Sequence, residues 1–215
     1  MIQSIGVHRV RCGSIFDKEV SALFDRKVDL FYADPPWGNG HYKLFQTKNA
    51  KDNNASKDGK NVSDMVVAIL DLAARFTADD GVIIIKYGVG WRDWFLSVAA
   101  DYLHHVRTIQ NYYKTGSGPR LCEQHYFVTP NAPASHTSWV RSETEDHQDR
   151  VGTGTGYKGV YVPTFGSFAK KGGVAADPCC GLGVMARFAC DFEMEFRGNE
   201  LNEKRLNKTI ARLQK

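Results

Sequence analysis

The residues best suited to chemistry in this chain fall in two short stretches. The first is Asp34-Pro35-Pro36-Trp37. A carboxylate can accept a hydrogen from an amine, and a carbonyl held by a rigid Pro-Pro pair can accept another. Trp37 adds a broad ring face on which a planar base could stack. The second stretch is Asp177-Pro178-Cys179-Cys180-Gly181-Leu182-Gly183. Gly181 and Gly183 let backbone come close to a bound cofactor, and a helix starting after them would present free amide hydrogens and its positive end. Glu200, at the end of the following strand, is placed to accept hydrogens from a ribose diol. This combination points to an adenosine-containing cofactor. It does not separate a dinucleotide from S-adenosylmethionine (SAM), and Ala186 breaks the full G-x-G-x-x-G pattern.

Strands and helices must carry both stretches to one place. Val28 to Ala33 is a mostly apolar run stopped by two prolines without amide hydrogens, so a strand ends at Ala33 with Asp34 at its carboxyl end. The apolar spacing before it, from Ser14 to Phe24, predicts a short helix, and Ser63 to Phe76 reads as a longer one. Gly81 to Tyr87 is a β-branched run suited to a buried parallel strand, and Trp91 to Leu103 is the next expected helix. Val106 to Tyr113 and Glu123 to Thr129, joined by a glycine- and proline-bearing turn, predict an antiparallel edge hairpin. Pro130 to Tyr157 reads as polar and irregular. After it come strand, glycine loop, helix, strand and a closing helix with Leu206, Ile210 and Leu213 on one face. The alternation predicts a three-layer α/β fold, mostly parallel with an antiparallel edge.

Composition narrows the class. With 215 residues, one domain spanning 1–215 is expected, and 42% apolar with 24% charged residues excludes a disordered or collagenous chain. Five cysteines without a paired C-x-x-C spacing argue against a disulfide framework or a zinc site, His104-His105 has no ligand partner in the sequence, and no metal is expected. No run approaches the roughly 20 apolar residues of a membrane span, so the expected location is the cytoplasm, away from membrane. A formal charge of +4 permits a polyanionic partner without demanding one. Residues 38–61 read as a flexible loop whose Lys43, Lys48, Lys51, Lys57 and Lys60 could contact nucleic acid or simply be solvated. Arg120 is a further candidate phosphate contact. Lys86, Tyr87 and Trp91 could border the crevice, although Trp91 and Trp94 sit at a spacing that suits helix packing.

Taken together, YADPPWG, DPCCGLG and GNELN resemble the beta group of DNA amino-methyltransferases, in which the catalytic D/N/S-P-P-aromatic motif precedes the glycine motif in circularly permuted order. The resemblance implies a Rossmann-like SAM-dependent methyltransferase fold and methyl transfer to an exocyclic base amine, with adenine N6 favoured over cytosine N4 by DPPW. It implies Asp34, Pro35, Pro36 and Trp37 as catalytic residues. Asp177, Pro178, Cys179, Gly181, Gly183, Glu200, Asn202 and Phe165 would line the cofactor, with Phe168 beside Phe165. Residues 111–170 would house target recognition, DNA would be the partner, and a homodimer would be reasonable. The chain departs from the pattern at Gly13-Ser14, where the group has Gly-Asp, and in lacking a Lys-Pro element before Asp177. An RNA or protein-amide methyltransferase and a noncatalytic nucleic-acid-binding protein are the competing readings.

Overall fold

The computed structural model describes residues 1–37, 61–115, 118–152 and 154–214. The five lysines at 43, 48, 51, 57 and 60, and the expected loop apart from Asn61, lie outside them. Eight strands form one sheet: β1 (Ile2–Ile5), β2 (His8–Cys12), β3 (Val28–Ala33), β4 (Thr77–Tyr87), β5 (His104–Thr115), β6 (Gly118–Val128), β7 (Val174–Asp177) and β8 (Glu195–Glu200). Their order is β1-β2-β8-β7-β3-β4-β6-β5. The five central strands, β2, β8, β7, β3 and β4, run parallel. The β5–β6 hairpin pairs antiparallel to β4, as its turn chemistry predicts.

Strand alternation divides the core between the two faces. On one, Leu30, Tyr32, Val82 and Ile84 pack with Phe165, Phe188 and Leu206. On the other, Phe31, Ala33, Ile83 and Ile85 meet Val66, Ile69 and Leu70 of helix α1 (Val62–Phe76) and Phe95 of α2 (Arg92–Ala99). Asn61 starts α1 through a capping box, accepting from the Ser63 and Asp64 amides while Asp64 accepts from its own.

The N-terminus, where no element was expected, supplies β1 and β2, and β1 adds a second antiparallel edge. Three expectations need correction. The Ser14–Phe24 segment narrows to a 3-10 helix at Lys18–Leu23, and α2 ends at Ala99 rather than Leu103. Residues 130–157 contain α3 (Ala134–Glu145) and α4 (His147–Val151), and a short α5 (Val162–Phe165) follows. Helices α3 and α4 bury few side chains, Val140 and Thr144 in α3, so their sequence shows little apolar periodicity. Trp91 is 45% exposed, and Phe95 takes the core position expected of it.

Candidate active site

Parallel pairing of β3 with β7, Phe31 opposite Ala176, brings the two motif-bearing strand ends side by side. From here the chain winds outward in both directions, through α1 to β4 and through α6 (Val184–Asp191) to β8. Such a switch point leaves a crevice at the carboxyl ends of the strands. Asp34 and Asp177 both reach it.

On the β3 side, Asp34 Oδ2 accepts from Lys86 Nζ at 3.2 Å. Trp37 packs edge-to-face on Tyr113, with ring centroids 4.8 Å apart. Gly88 makes room for the indole: a Cβ there would stand 3.3 Å from Trp37 Cβ and Cε3. Tyr32 donates to the Tyr161 hydroxyl at 3.2 Å, and burial raises the pKa of both tyrosines. Arg120 is exposed on β6 and faces Tyr113 across the ladder. Lys86 was recognisable as a neighbour of the crevice; its bond to Asp34, and the parts of Tyr113 and Tyr161, came from pairings distant in sequence.

Backbone amides organise the other side. Asp177 accepts from the Cys179 amide at 3.0 Å. Glu200 accepts from the Gly181 amide at 2.8 Å and, through its other oxygen, from the Asn202 amide at 2.9 Å. Glu200 thus fastens the glycine loop to the end of β8. Asn202 caps α7 (Glu203–Leu213), accepting from the Arg205 amide. Asn199 Nδ2 donates to the carbonyls of Gly13 and Pro178, drawing the first strand-loop into the same corner. At Gly13-Ser14, where the expected carboxylate is missing, Asp17 returns one: it accepts from the Ser14 amide at 3.1 Å and pairs with buried Arg11.

Gly181 and Gly183 adopt φ of +54° and +77°. A Cβ on Gly183 would come 2.7 Å from Thr209 Oγ1 and 2.9 Å from its Cα, so this glycine admits α7 against the loop. Cys179 and Cys180 have thiols pushed up by burial and by the nearby charges of Asp177 and Glu200, which leaves them protonated and poor nucleophiles. Residues 157–168 coil into short helical turns that bury Phe165 and Phe168: Phe165 packs on Tyr32 and Tyr161, behind the Lys86–Asp34 pair, and on Phe188, while Phe168 packs against Trp139.

Charge completes the picture. Asp177 is buried and its pKa is raised well above the usual carboxylate value, first by desolvation and then by the charges of Asp34 and Glu200, against the Cys179 amide bond that lowers it. Asp177 and Glu200, side by side at the ends of β7 and β8, form an acidic cradle beside Asp34, and a sulfonium cofactor with a ribose diol fits those acceptors.

No protein-family model matches this chain, and no curated protein matches its sequence. Solved structures do match its shape. TTHA0409 of Thermus thermophilus, a candidate DNA modification methylase in complex with SAM, superposes with a TM-score of 0.65 at 16% identity, covering 96% of this chain and 93% of that one. The M1.HpyAVI–SAM complex gives 0.57 at 11%, covering 96% and 98%. PvuII DNA methyltransferase, cytosine-N4-specific, gives 0.60 at 9%, covering 94% and 85%. The chain therefore has the mixed-sheet, Rossmann-like fold of these SAM-dependent methyltransferase structures.

Proposed function

We propose that this protein transfers a methyl group from SAM to the exocyclic amine of a DNA base, adenine N6 in preference to cytosine N4. The observation that carries the reading is the adjacency of the Asp34 and Asp177 strand ends, which puts an amine acceptor beside a cation cradle. Fold likeness to the SAM complexes of TTHA0409 and M1.HpyAVI supports it. The preference for adenine rests on the DPPW tetrapeptide alone.

When bound, SAM supplies an electrophilic methyl group on a positively charged sulfur. Asp177, Gly181 and Glu200 would hold the cofactor, with Pro178, Cys179, Gly183 and Asn202 shaping the loop around it. A base extruded from the duplex would stack on Trp37. Its amine would donate to Asp34 and to the Pro35 carbonyl, which localises the nitrogen lone pair; Pro36 keeps that carbonyl in place. The nitrogen pair would attack the methyl carbon while the S–C electrons stay on sulfur, and Asp34 would face the positive charge that develops on the nitrogen before its proton leaves to solvent. Positioning and charge complementarity supply the acceleration. Arg120 and the lysines at 43, 48, 51, 57 and 60 would contact phosphates, and the elements of 111–170 would face the target.

Incubation with labelled SAM and separate DNA, RNA and protein substrates, followed by nucleoside analysis, tests the reading. N6-methyladenine in DNA is the expected product. N4-methylcytosine would overturn the choice of base, label in RNA or protein the choice of substrate, and absence of SAM binding the enzyme itself.

A further inference from the structure

Lys86 has no part in the motifs that suggest the reaction, yet it is tied to their centre. Its side chain is 8% exposed. Besides Asp34, the ammonium has the Tyr161 hydroxyl at 3.5 Å and the rings of Tyr113, Trp37 and Tyr161 at 5.5, 5.6 and 5.9 Å. The ladder explains the placement. Lys86 lies two residues past Ile84, the partner of Tyr32, and directly opposite Gln124, so its side chain rises from the face that carries Tyr32 and Tyr161. Burying an ammonium and freezing its long stem are both costly, and an apolar residue would fill this position more cheaply.

Resting on the methyl-transfer reading, we propose that Lys86 is the positioning residue of Asp34: it holds Oδ2 and offsets its charge, leaving Oδ1 to accept the hydrogen of the target amine. Without it, Asp34 would face Asp177 and Glu200 with no cation among the described residues paired to its carboxylate. The groups that face the ammonium are Asp34 after β3, Tyr161 before α5, Tyr113 on β5 and Cys122 on β6, with Tyr32 behind Tyr161. Burial alone would lower the lysine pKa, but Asp34, aided by Tyr161 and Cys122, reverses that and raises it. Lys86 therefore stays protonated and takes no proton from the substrate.

The test uses the full chain as wild type, Lys86→Met, Lys86→Arg, Asp34→Asn and the Lys86→Met/Asp34→Asn double variant. Each is checked by thermal melting and SAM calorimetry, then by single-turnover transfer to DNA over a pH series. Lys86→Met should keep its SAM affinity and lose about tenfold or more in transfer rate, an interaction of the size that contacting charged pairs show. Its pH–rate profile should differ from the wild type's, because the cation that faces Asp34 is gone. Lys86→Arg should restore most of the rate, and Lys86→Met should cost nothing further in the Asp34→Asn background. Where Lys86→Met does not fold, Lys86→Gln, which keeps a donor and loses the charge, reads the same change of profile. Wild-type rate at every pH in the charge-removing variant, or additive losses in the double variant, would overturn the role of Lys86 alone. A wild type that methylates no substrate would overturn the reaction and this role with it.

Discussion

The two walls of the crevice are built from different materials. Around Asp34 the partners are side chains: the Lys86 ammonium and the rings of Trp37, Tyr113 and Tyr161. Around Asp177 and Glu200 they are backbone amides of Cys179, Gly181 and Asn202, fixed once β7, β8 and the glycine loop are in place. On the proposed reading the cofactor wall is thus set by the fold itself, and the base wall by side chains packed on one another. Their acid–base behaviour differs as well. Buried Asp177 strains against ionisation, whereas His125 on β6 and His147 on α4 strain against protonation, with pKa lowered to about 3 and about 4 mainly by burial.

The sharpest way to break the comparison is Asp34→Ala. If the base wall acts on the amine and not on the cofactor, transfer should fall by on the order of a hundredfold or more, the scale of losing one preorganised polar group. SAM affinity by calorimetry should stay at the wild-type value. A parallel loss of SAM binding would show that the walls are not separate.

Asp177→Asn should do the reverse. It keeps an oxygen for the Cys179 amide and removes a buried ionisable group. The sign is definite: an acid with a raised folded pKa supports stability at low pH and loses that support as pH rises above its unfolded value, so at neutral pH the carboxyl burdens the cofactor-free protein. The variant should bind SAM about tenfold or more weakly, for want of a charge-assisted contact. Without cofactor it should melt about 2 °C or more higher, the shift that ~1 kcal/mol gives a domain of this size. A lower melting point would mean that the carboxylate is needed for the fold.

How much of this was legible beforehand follows the same division. β3, β7, β8 and the hairpin announced themselves through apolar runs, prolines and glycines, all local signals. β2 did not, because its interior position is held by a polar network: Arg11, 4% exposed, bonds to Asn199 and Asp17 from elsewhere in the chain. Helices α3 and α4 hid for want of a continuous apolar stripe. Glu200 was correctly placed at a strand end, but its two amide bonds depend on how the loop folds back. Lys86 was legible as a neighbour of the crevice, but its bond to Asp34 required the register of β4 against β3. Residues that act through sequence neighbours could be read; those that act across the sheet could not.

His147 sharpens the contrast from the hairpin side. It is fully buried, with Nδ1 3.2 Å from the Tyr126 hydroxyl and Nε2 3.3 Å from Ser167 Oγ. Because Tyr126 donates to Gln124, the consistent neutral tautomer donates from Nδ1 and accepts at Nε2. A histidine whose folded pKa is lowered keeps the fold stable above its unfolded value of 6.5, and that stability is lost as pH falls toward about 4. His147→Gln should therefore flatten urea-derived stability against pH in this window by up to about 1.4 kcal/mol per pH unit, while His125 keeps its own share. An unchanged slope would remove His147 from the acid response.

The smallest effect is expected at Arg120, where the base wall meets solvent. Arg120 is exposed and stands opposite Tyr113, whose ring packs on Trp37, so a phosphate held there would lie beside the stacked base. An exposed arginine contributes through counterion release more than through a fixed contact. Arg120→Ala should weaken DNA association a few-fold at low salt, progressively less as salt rises, and reduce the slope of log affinity against log salt by about 1. SAM affinity should not change, since the cofactor wall makes no use of this side chain. Titrations of a fluorescent duplex across a salt series measure the slope. A slope equal to the wild type's would make Arg120 an ordinary solvated residue and move the nucleic-acid contact elsewhere on the chain.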